Sequence, residues 1–195
     1  MEQLNKNRVP PFVTRVTRTL QEAGFEAYLV GGCVRDMLMG NPPTEEHGDW
    51  DLTTNATPEQ VLTVFPDLKT VHENAFGTVT VLNMPPEAEP TVSRETPDVT
   101  NVVQITTYRS EGAYTDNRRP DHVSYETDIR KDLERRDFTM NAIAWDPLKD
   151  SIIDIFGGIK DIKDKIIRCV LYPDIRFQED ALRMLRAIRF STTLG

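Results

Sequence analysis

Four short segments of this 195-residue chain carry side chains suited to chemistry on a charged ligand. In Asp49-Trp50-Asp51 two carboxylates stand two residues apart, and on a strand that spacing turns both to one face. Two hard anions at one point suit Mg²⁺, which takes oxygen ligands and shares them with substrate phosphates. A solvated strand edge with two acids is the plainer alternative. Upstream, Gly31-Gly32-Cys33-Val34-Arg35-Asp36 sets a glycine pair between an apolar run and a helical pattern. Glycine lets the backbone approach a ligand closely, amides at a helix start attract phosphate oxygens, and Arg35 in the first turn could pair with the same oxygens. A tight turn with a surface arginine accounts for the same residues.

The third segment, Arg135-Arg136-Asp137-Phe138-Thr139-Met140-Asn141-Ala142, passes from charged to apolar within a few residues, as a segment entering the core beside a polar site would. Arg136 could neutralise phosphate or ribose oxygens, and Asp137 and Asn141 could fix loops or a sugar hydroxyl. Buried pairing of Arg136 with an acid explains these residues equally well. The fourth, Glu179 to Arg189, has Ala181, Met184, Leu185 and Ile188 as an apolar stripe and Arg183, Arg186 and Arg189 as a basic one. Asp180 and Arg183 stand one helical turn apart, which predicts either a local ion pair or a pair that reads a base edge. A carboxylate accepts from an exocyclic amine while a guanidinium donates to a ring acceptor, and cytosine and adenine both present that pattern.

These groups need elements to hold them. A helix is predicted over Phe12 to Ala23, with Gly24 as its stop, and a short buried strand over Phe25 to Val30. After the glycine pair, Val34 to Met39 reads as a helix, Asn41 to Gly48 as a polar loop and Asp49 to Thr53 as a strand. Thr57 caps a helix over Glu59 to Phe65 with Pro58 at its first position. Strands are predicted at Thr78 to Leu82 and Val102 to Tyr108, where β-branched residues dominate. Pro85 to Asp98, rich in Pro and Glu, reads as a surface insertion, and Ser110 to Ser124 as a mobile polar loop. Two helices, Ile159 to Ile166 and Ile175 to Phe190, close the chain, the second still running near the end as if more sequence followed.

Composition limits the classes of function. The chain has length for one buried domain and the start of a second. With 38% hydrophobic residues it offers no run of about 20 apolar residues to span a membrane, and the first residues lack a secretory core, so a cytoplasmic location is expected. Cys33 and Cys169 lack the spacing of a zinc site or disulfide framework and read as reduced packing residues. The net charge of −8 argues against a wide nucleic-acid face. The charge is uneven: from Gly158 onward there are eight basic residues against five acids.

In this order, the four segments resemble the class II tRNA nucleotidyltransferase and bacterial poly(A) polymerase family, over about Ala27 to Gly195. The family's glycine turn corresponds to Gly31 to Asp36, its metal motif to Asp49-Trp50-Asp51, its ribose and phosphate motif to Arg135 to Ala142, and its nucleobase motif to Glu179-Asp180-x-x-Arg183. The resemblance implies an α/β fold, a polymerase-β-like head with a mixed sheet flanked by helices over residues 1–157, and the start of an all-α neck over 158–195. It implies Mg²⁺ on Asp49 and Asp51, and triphosphate on Gly32 and Arg35. Arg136 would contact the incoming nucleotide. Asp180 and Arg183 would template CTP or ATP, with Arg186 and Arg189 assisting.

The activity implied is addition of CMP or AMP to the tRNA 3′ end with release of pyrophosphate. Poly(A) tailing and a nucleotide-binding module without turnover are the alternatives. The Ser110 to Ser124 region corresponds to the family's mobile loop, tied to the change from C to A addition. One departure stands out: where the family often has Glu, five positions before the basic residue of its strand, this chain has Gln104 ahead of Arg109.

Overall fold

The computed structural model describes residues 3–43, 49–73, 76–82 and 102–194. The insertion expected at Pro85 to Asp98 lies outside them, as do residues 44–48 of the expected Asn41 to Gly48 loop.

Helix α1 (Pro11–Glu22) starts on a proline, tolerated at the first helical position because that amide has no helical partner. Its Phe12, Val13, Val16 and Leu20 are buried, each such burial worth about 1.5–3 kcal/mol. Gly24, at φ +89°, takes the left-handed conformation that turns the chain away. Strand β1 (Ala27–Val30) begins later than Phe25, since the Glu26 amide donates to Asn55 Oδ1 at 2.8 Å. Then follow α2 (Gly32–Leu38), β2 (Trp50–Thr54) and α3 (Pro58–Val64), the last closed by a capping box in which Thr57 and Gln60 satisfy each other's amides.

Strands β3 (Lys69–Glu73), β4 (Thr78–Leu82) and β5 (Val102–Thr107) precede a small hairpin, β6 (Arg109–Glu111) with β7 (Val123–Tyr125). Helix α4 (Ile129–Glu134), a 3₁₀ turn (Thr139–Asn141), β8 (Ala144–Asp146) and β9 (Ser151–Ile153) complete the sheet. Helices α5 (Gly158–Asp164), α6 (Pro173–Glu179) and α7 (Leu182–Thr193) end the described chain.

Among the described residues the main sheet runs β3-β4-β5-β2-β1-β8-β9. It is mixed, as expected: β2 and β5 are parallel and the other pairs antiparallel. Its two faces differ in chemistry. Trp50, Leu52, Val79, Val81, Val103 and Ile105 join α1, α2 and α3 in the principal core. The alternation of strand side chains turns Asp51 and Thr53 of β2, with Gln104 and Thr106 of β5, to the opposite face. The register sets Asp51 directly beside Gln104.

Two expectations need correction. The stretch Ser110 to Ser124 is not loop throughout, because its ends pair as the β6–β7 hairpin; Gly112 and His122 pair across the turn through a 3.0 Å backbone hydrogen bond. A Cβ on Gly112 would overlap the His122 ring, which explains a glycine at that position. The helix expected over Ile175 to Phe190 is two helices. Asp180 leaves helical conformation at φ −139° and ψ 107°, and its carboxylate accepts the Leu182 amide at 2.9 Å. That local side-chain bond competes with the helical ladder and starts α7 afresh.

Candidate functional site

The polar face of β2 opens into a cleft of about 430 Å³ whose lining includes Gly31, Gly32, Arg35, Asp49, Asp51, Arg136, Arg186 and Arg189. Five of the residues predicted for the site, Gly32, Arg35, Arg136, Arg186 and Arg189 from three separate segments, thus share one concavity with the Asp49 and Asp51 pair. Asp49 stands just ahead of β2 and is exposed, while Asp51 on the strand is half-buried. Burial pushes the Asp51 carboxyl up to about 6, with Asp49 adding to the rise and the Arg136 guanidinium opposing it. A cation between the two acids would relieve both the burial and the repulsion.

The donor set fits a hard divalent ion that keeps positions for other oxygens. Among the described residues no group of three or more His, Cys, Asp or Glu gathers to hold a metal, so a cation bound here would have two carboxylates as its protein ligands. A cation of the Mg²⁺ kind, which commonly takes one or two carboxylates and completes its shell with phosphate and water, suits that set. Gln104, beside Asp51, offers an amide in place of a third carboxylate.

Gly31 is held at φ +79° and ψ −136°, a region closed to other residues without strain. A Cβ there would stand 3.4 Å from Arg136 Nη1 and 3.8 Å from Asp51 Oδ2. The turn therefore needs its glycine both for conformation and for the approach of Arg136 and Asp51. Arg35 is bidentate to Asp36 at 2.8 and 2.9 Å and donates to Asn141 Oδ1 at 2.8 Å, so it is fixed at the cleft wall. Cys33 behind the turn donates to the Val30 carbonyl at 3.3 Å, and burial pushes its thiol up to about 12, which leaves it a packing residue as expected.

Sequence reasoning missed Asp132. Its side chain is fully buried, accepts from Arg136 Nη2 at 2.8 Å and Arg135 Nη2 at 2.7 Å, and takes the Thr53 hydroxyl at 3.2 Å. Burial alone would raise its pKa, but Arg136 and Arg135 outweigh it and hold the carboxyl at about 2. Of the two accounts of Arg136, the buried pairing with an acid is what the geometry displays: one edge is paired with Asp132, while Nη1 has no acceptor among the described residues and the residue lines the cleft. The signal available was Asp132 at helical spacing ahead of the two arginines.

A second concavity of about 470 Å³ shares Arg136, Asp137 and Arg186 with the first and adds Asp180, Arg183, Tyr114, Arg118 and Arg119. Asp180 and Arg183 both reach it but are not paired with each other. Arg183 is buried and donates to Glu179 Oε2 at 2.5 Å and to the carbonyls of Arg176 and Arg135, with its guanidinium over the Tyr114 ring at 5.9 Å. The ion pair expected between Asp180 and Arg183 is thus replaced by one with Glu179, because the Asp180 carboxylate accepts the Leu182 amide at the start of α7 instead. Arg186 donates to Asp137 Oδ2 at 2.7 Å. The hairpin turn reaches this cavity too, where the Asn117 carbonyl accepts the Ala181 amide at 3.0 Å.

Comparison with known proteins decides the ancestry of this arrangement. The family described as the poly A polymerase head domain matches residues 27–168. The chain belongs to that family. Among relatives of the head domain, the CCA-adding enzyme of Lactobacillus helveticus is 46% identical over 181 residues, which is 92% of this chain and 40% of that protein. The CCA-adding enzyme of Geobacillus thermodenitrificans is 44% identical over 95% of this chain and 41% of its own length.

Of solved structures, Bacillus stearothermophilus CCA-adding enzyme in complex with CTP superposes with a TM-score of 0.72 at 39% identity, over 93% of this chain and 39% of that one. A CCA-adding enzyme with ATP gives 0.66 at 27% identity, over 95% and 40%. The head-domain fold is therefore shared, and the chain spans about 40% of the length of these relatives. No helix among its described residues is long and apolar enough to cross a membrane.

Proposed function

We propose that this head domain, as part of a longer protein, transfers CMP or AMP from CTP or ATP to the 3′ end of tRNA in CCA addition or repair. The observation that carries the reading is the shared cleft, in which Asp51 on β2 and Asp49 just ahead of it meet a glycine turn and four arginines beside a second cavity lined by Asp180 and Arg183. A triphosphate needs cations along its length, and Arg35, Arg136, Arg186 and Arg189 supply them from α2, the segment after α4, and α7. The relatives with CTP and ATP support that choice of nucleotide.

In this reading the RNA 3′ hydroxyl attacks the α-phosphorus in line, the new P–O bond forms as the bond to pyrophosphate breaks, and the hydroxyl proton passes to solvent water. Asp49 and Asp51 would hold Mg²⁺, which when bound would supply charge neutralisation for attack and departure. Gly31 and Gly32 let phosphate come close to the backbone, and Arg136, braced by Asp132, meets the nucleotide from the opposite wall. Asp180 and Arg183 read the base, which requires Arg183 to turn from Glu179. The division into a head over residues 1–157 and a neck from Gly158, and a cytoplasmic location, belong to the same proposal.

The test is a product ladder from the full-length protein with labelled CTP or ATP and tRNA lacking its terminal CCA. Addition that stops at CCA supports the reading, and a long adenylate tail makes it a poly(A) polymerase. Gln104 beside Asp51 favours one further alternative, a module that binds nucleotide without turnover. CTP or ATP binding with no pyrophosphate released in the presence of tRNA would establish it.

A further inference from the structure

One aromatic ring joins the three peripheral arginines of the first cleft. Phe190, buried on α7, has Arg35 Cζ at 5.1 Å from its ring centroid, Arg186 at 5.4 Å and Arg189 at 5.1 Å. Its own orientation is fixed by an edge-to-face contact with Phe138, at 5.8 Å between centroids and 89° between planes. Phe190 lines the cleft of Asp49 and Asp51 on one side and an apolar cavity with Met140, Ile162 and Leu194 on the other.

Three guanidiniums around one cleft repel each other and scatter unless something holds them. Arg35 has Asp36 and Arg186 has Asp137. Arg189 has no acidic partner among the described residues, and its guanidinium lies over the Phe190 ring. A phenyl face carries negative charge density, attracts cations within about 6 Å, and, being neutral, does not compete with a ligand anion for them as a carboxylate does. Arg186 and Phe190 stand one turn apart on α7 while Arg35 comes from α2, so the ring also ties the two helices that wall the cleft.

We propose that Phe190 is a positioning residue that pre-orients Arg35, Arg186 and Arg189 for the phosphates of the nucleotide. The proposal rests on the reading of the cleft as a nucleotide site. It acts on phosphates rather than on the base, so its loss is felt equally by any triphosphate.

The experiment uses the full-length protein with Phe190→Leu, which keeps apolar bulk without a ring, and Phe190→Trp, which keeps a ring. Binding of CTP, ATP and inorganic tripolyphosphate is measured by calorimetry at fixed Mg²⁺, with KM and kcat for CTP and ATP. Phe190→Leu is expected to weaken all three ligands by about tenfold and to raise KM far more than it lowers kcat, while Phe190→Trp stays within about threefold of wild type. A second pair, Phe190→Met and Phe190→Tyr, repeats the contrast at other side-chain volumes, so loss of folding in one variant does not remove the comparison. Equal binding by wild type and the folded Leu or Met variant overturns the proposal, as does an equal loss in ring and ringless variants. Wild-type protein that binds none of the three ligands overturns the nucleotide reading itself.

Discussion

Asp132 and Arg136 form a buried ion pair at 2.8 Å that leaves one edge of the guanidinium facing the Asp51 cleft. Asp132 is fully buried and also binds Arg135 and Thr53, so it fixes the orientation of Arg136 relative to the strand that carries Asp51.

Removing that charge should be costly. Asp132→Asn leaves two guanidiniums without their buried counter-ion, and breaking such a pair typically costs about 3–5 kcal/mol. Denaturant unfolding at pH 7 is expected to give a loss in that range, with nucleotide affinity reduced in the fraction that folds. A change below about 1 kcal/mol would contradict the role assigned to the pair.

The same carboxyl gives an acid-side prediction. Its folded pKa of about 2 lies below the ordinary value of 3.8, so its contribution is fully present above about pH 4 and is lost as pH falls towards 2. The stake is about 2 kcal/mol. Acid titration of unfolding free energy should be steeper between pH 4 and 2 in wild type than in Asp132→Asn. Parallel curves would show that another carboxylate carries the acid sensitivity.

Gly31 and Gly157 provide a matched comparison. Both take positive φ, +79° and +73°, but a Cβ on Gly31 stands 3.4 Å from Arg136 Nη1 while one on Gly157 meets nothing within 4 Å. Alanine should lower stability by about 1–2 kcal/mol at Gly157, which is in the left-handed helical region, and by more, up to about 3 kcal/mol, at Gly31, whose ψ of −136° lies outside it. Only Gly31→Ala should also weaken CTP and ATP binding in a titration. Equal binding by the two variants would separate the glycine turn from the ligand.

Much of this site was legible because its signals are local. The Asp49 and Asp51 spacing, the glycine pair and the amphipathic arginines of α7 are read within a few residues, and the mixed sheet follows from the family they resemble. What was not legible depends on distance or on competition. Asp132 reveals itself through Thr53, 79 residues away in sequence, and Phe190 looks like one more apolar position until Arg35 arrives from another helix. The break between α6 and α7 depends on whether Asp180 caps its own backbone or continues a helix, a choice that helical periodicity does not encode. The short strands β6 and β7 exist by pairing with each other, and three residues apiece carry too little pattern to declare it.

Gln104 offers a gain-of-charge experiment. Opposite Asp51 in the parallel register, Gln104→Glu adds a third carboxylate to the polar face. Without a cation the variant should be less stable by about 0.2–1 kcal/mol from like-charge repulsion. Mn²⁺ binding, followed calorimetrically in the absence of nucleotide, should tighten severalfold. Unchanged affinity would mean that residue 104 does not face the cation.

The central claim is that Asp49 and Asp51 carry nucleotidyl transfer. Its most direct measurement is the initial rate at which the full-length protein and its Asp51→Ala variant add labelled CMP or AMP to tRNA lacking its 3′ terminus. The account predicts a fall of about a hundredfold to a thousandfold, with folding retained because the Asp51 carboxylate makes no hydrogen bond among the described residues and its backbone pairing in β2 does not need the side chain. Incorporation by Asp51→Ala at the wild-type rate would contradict it.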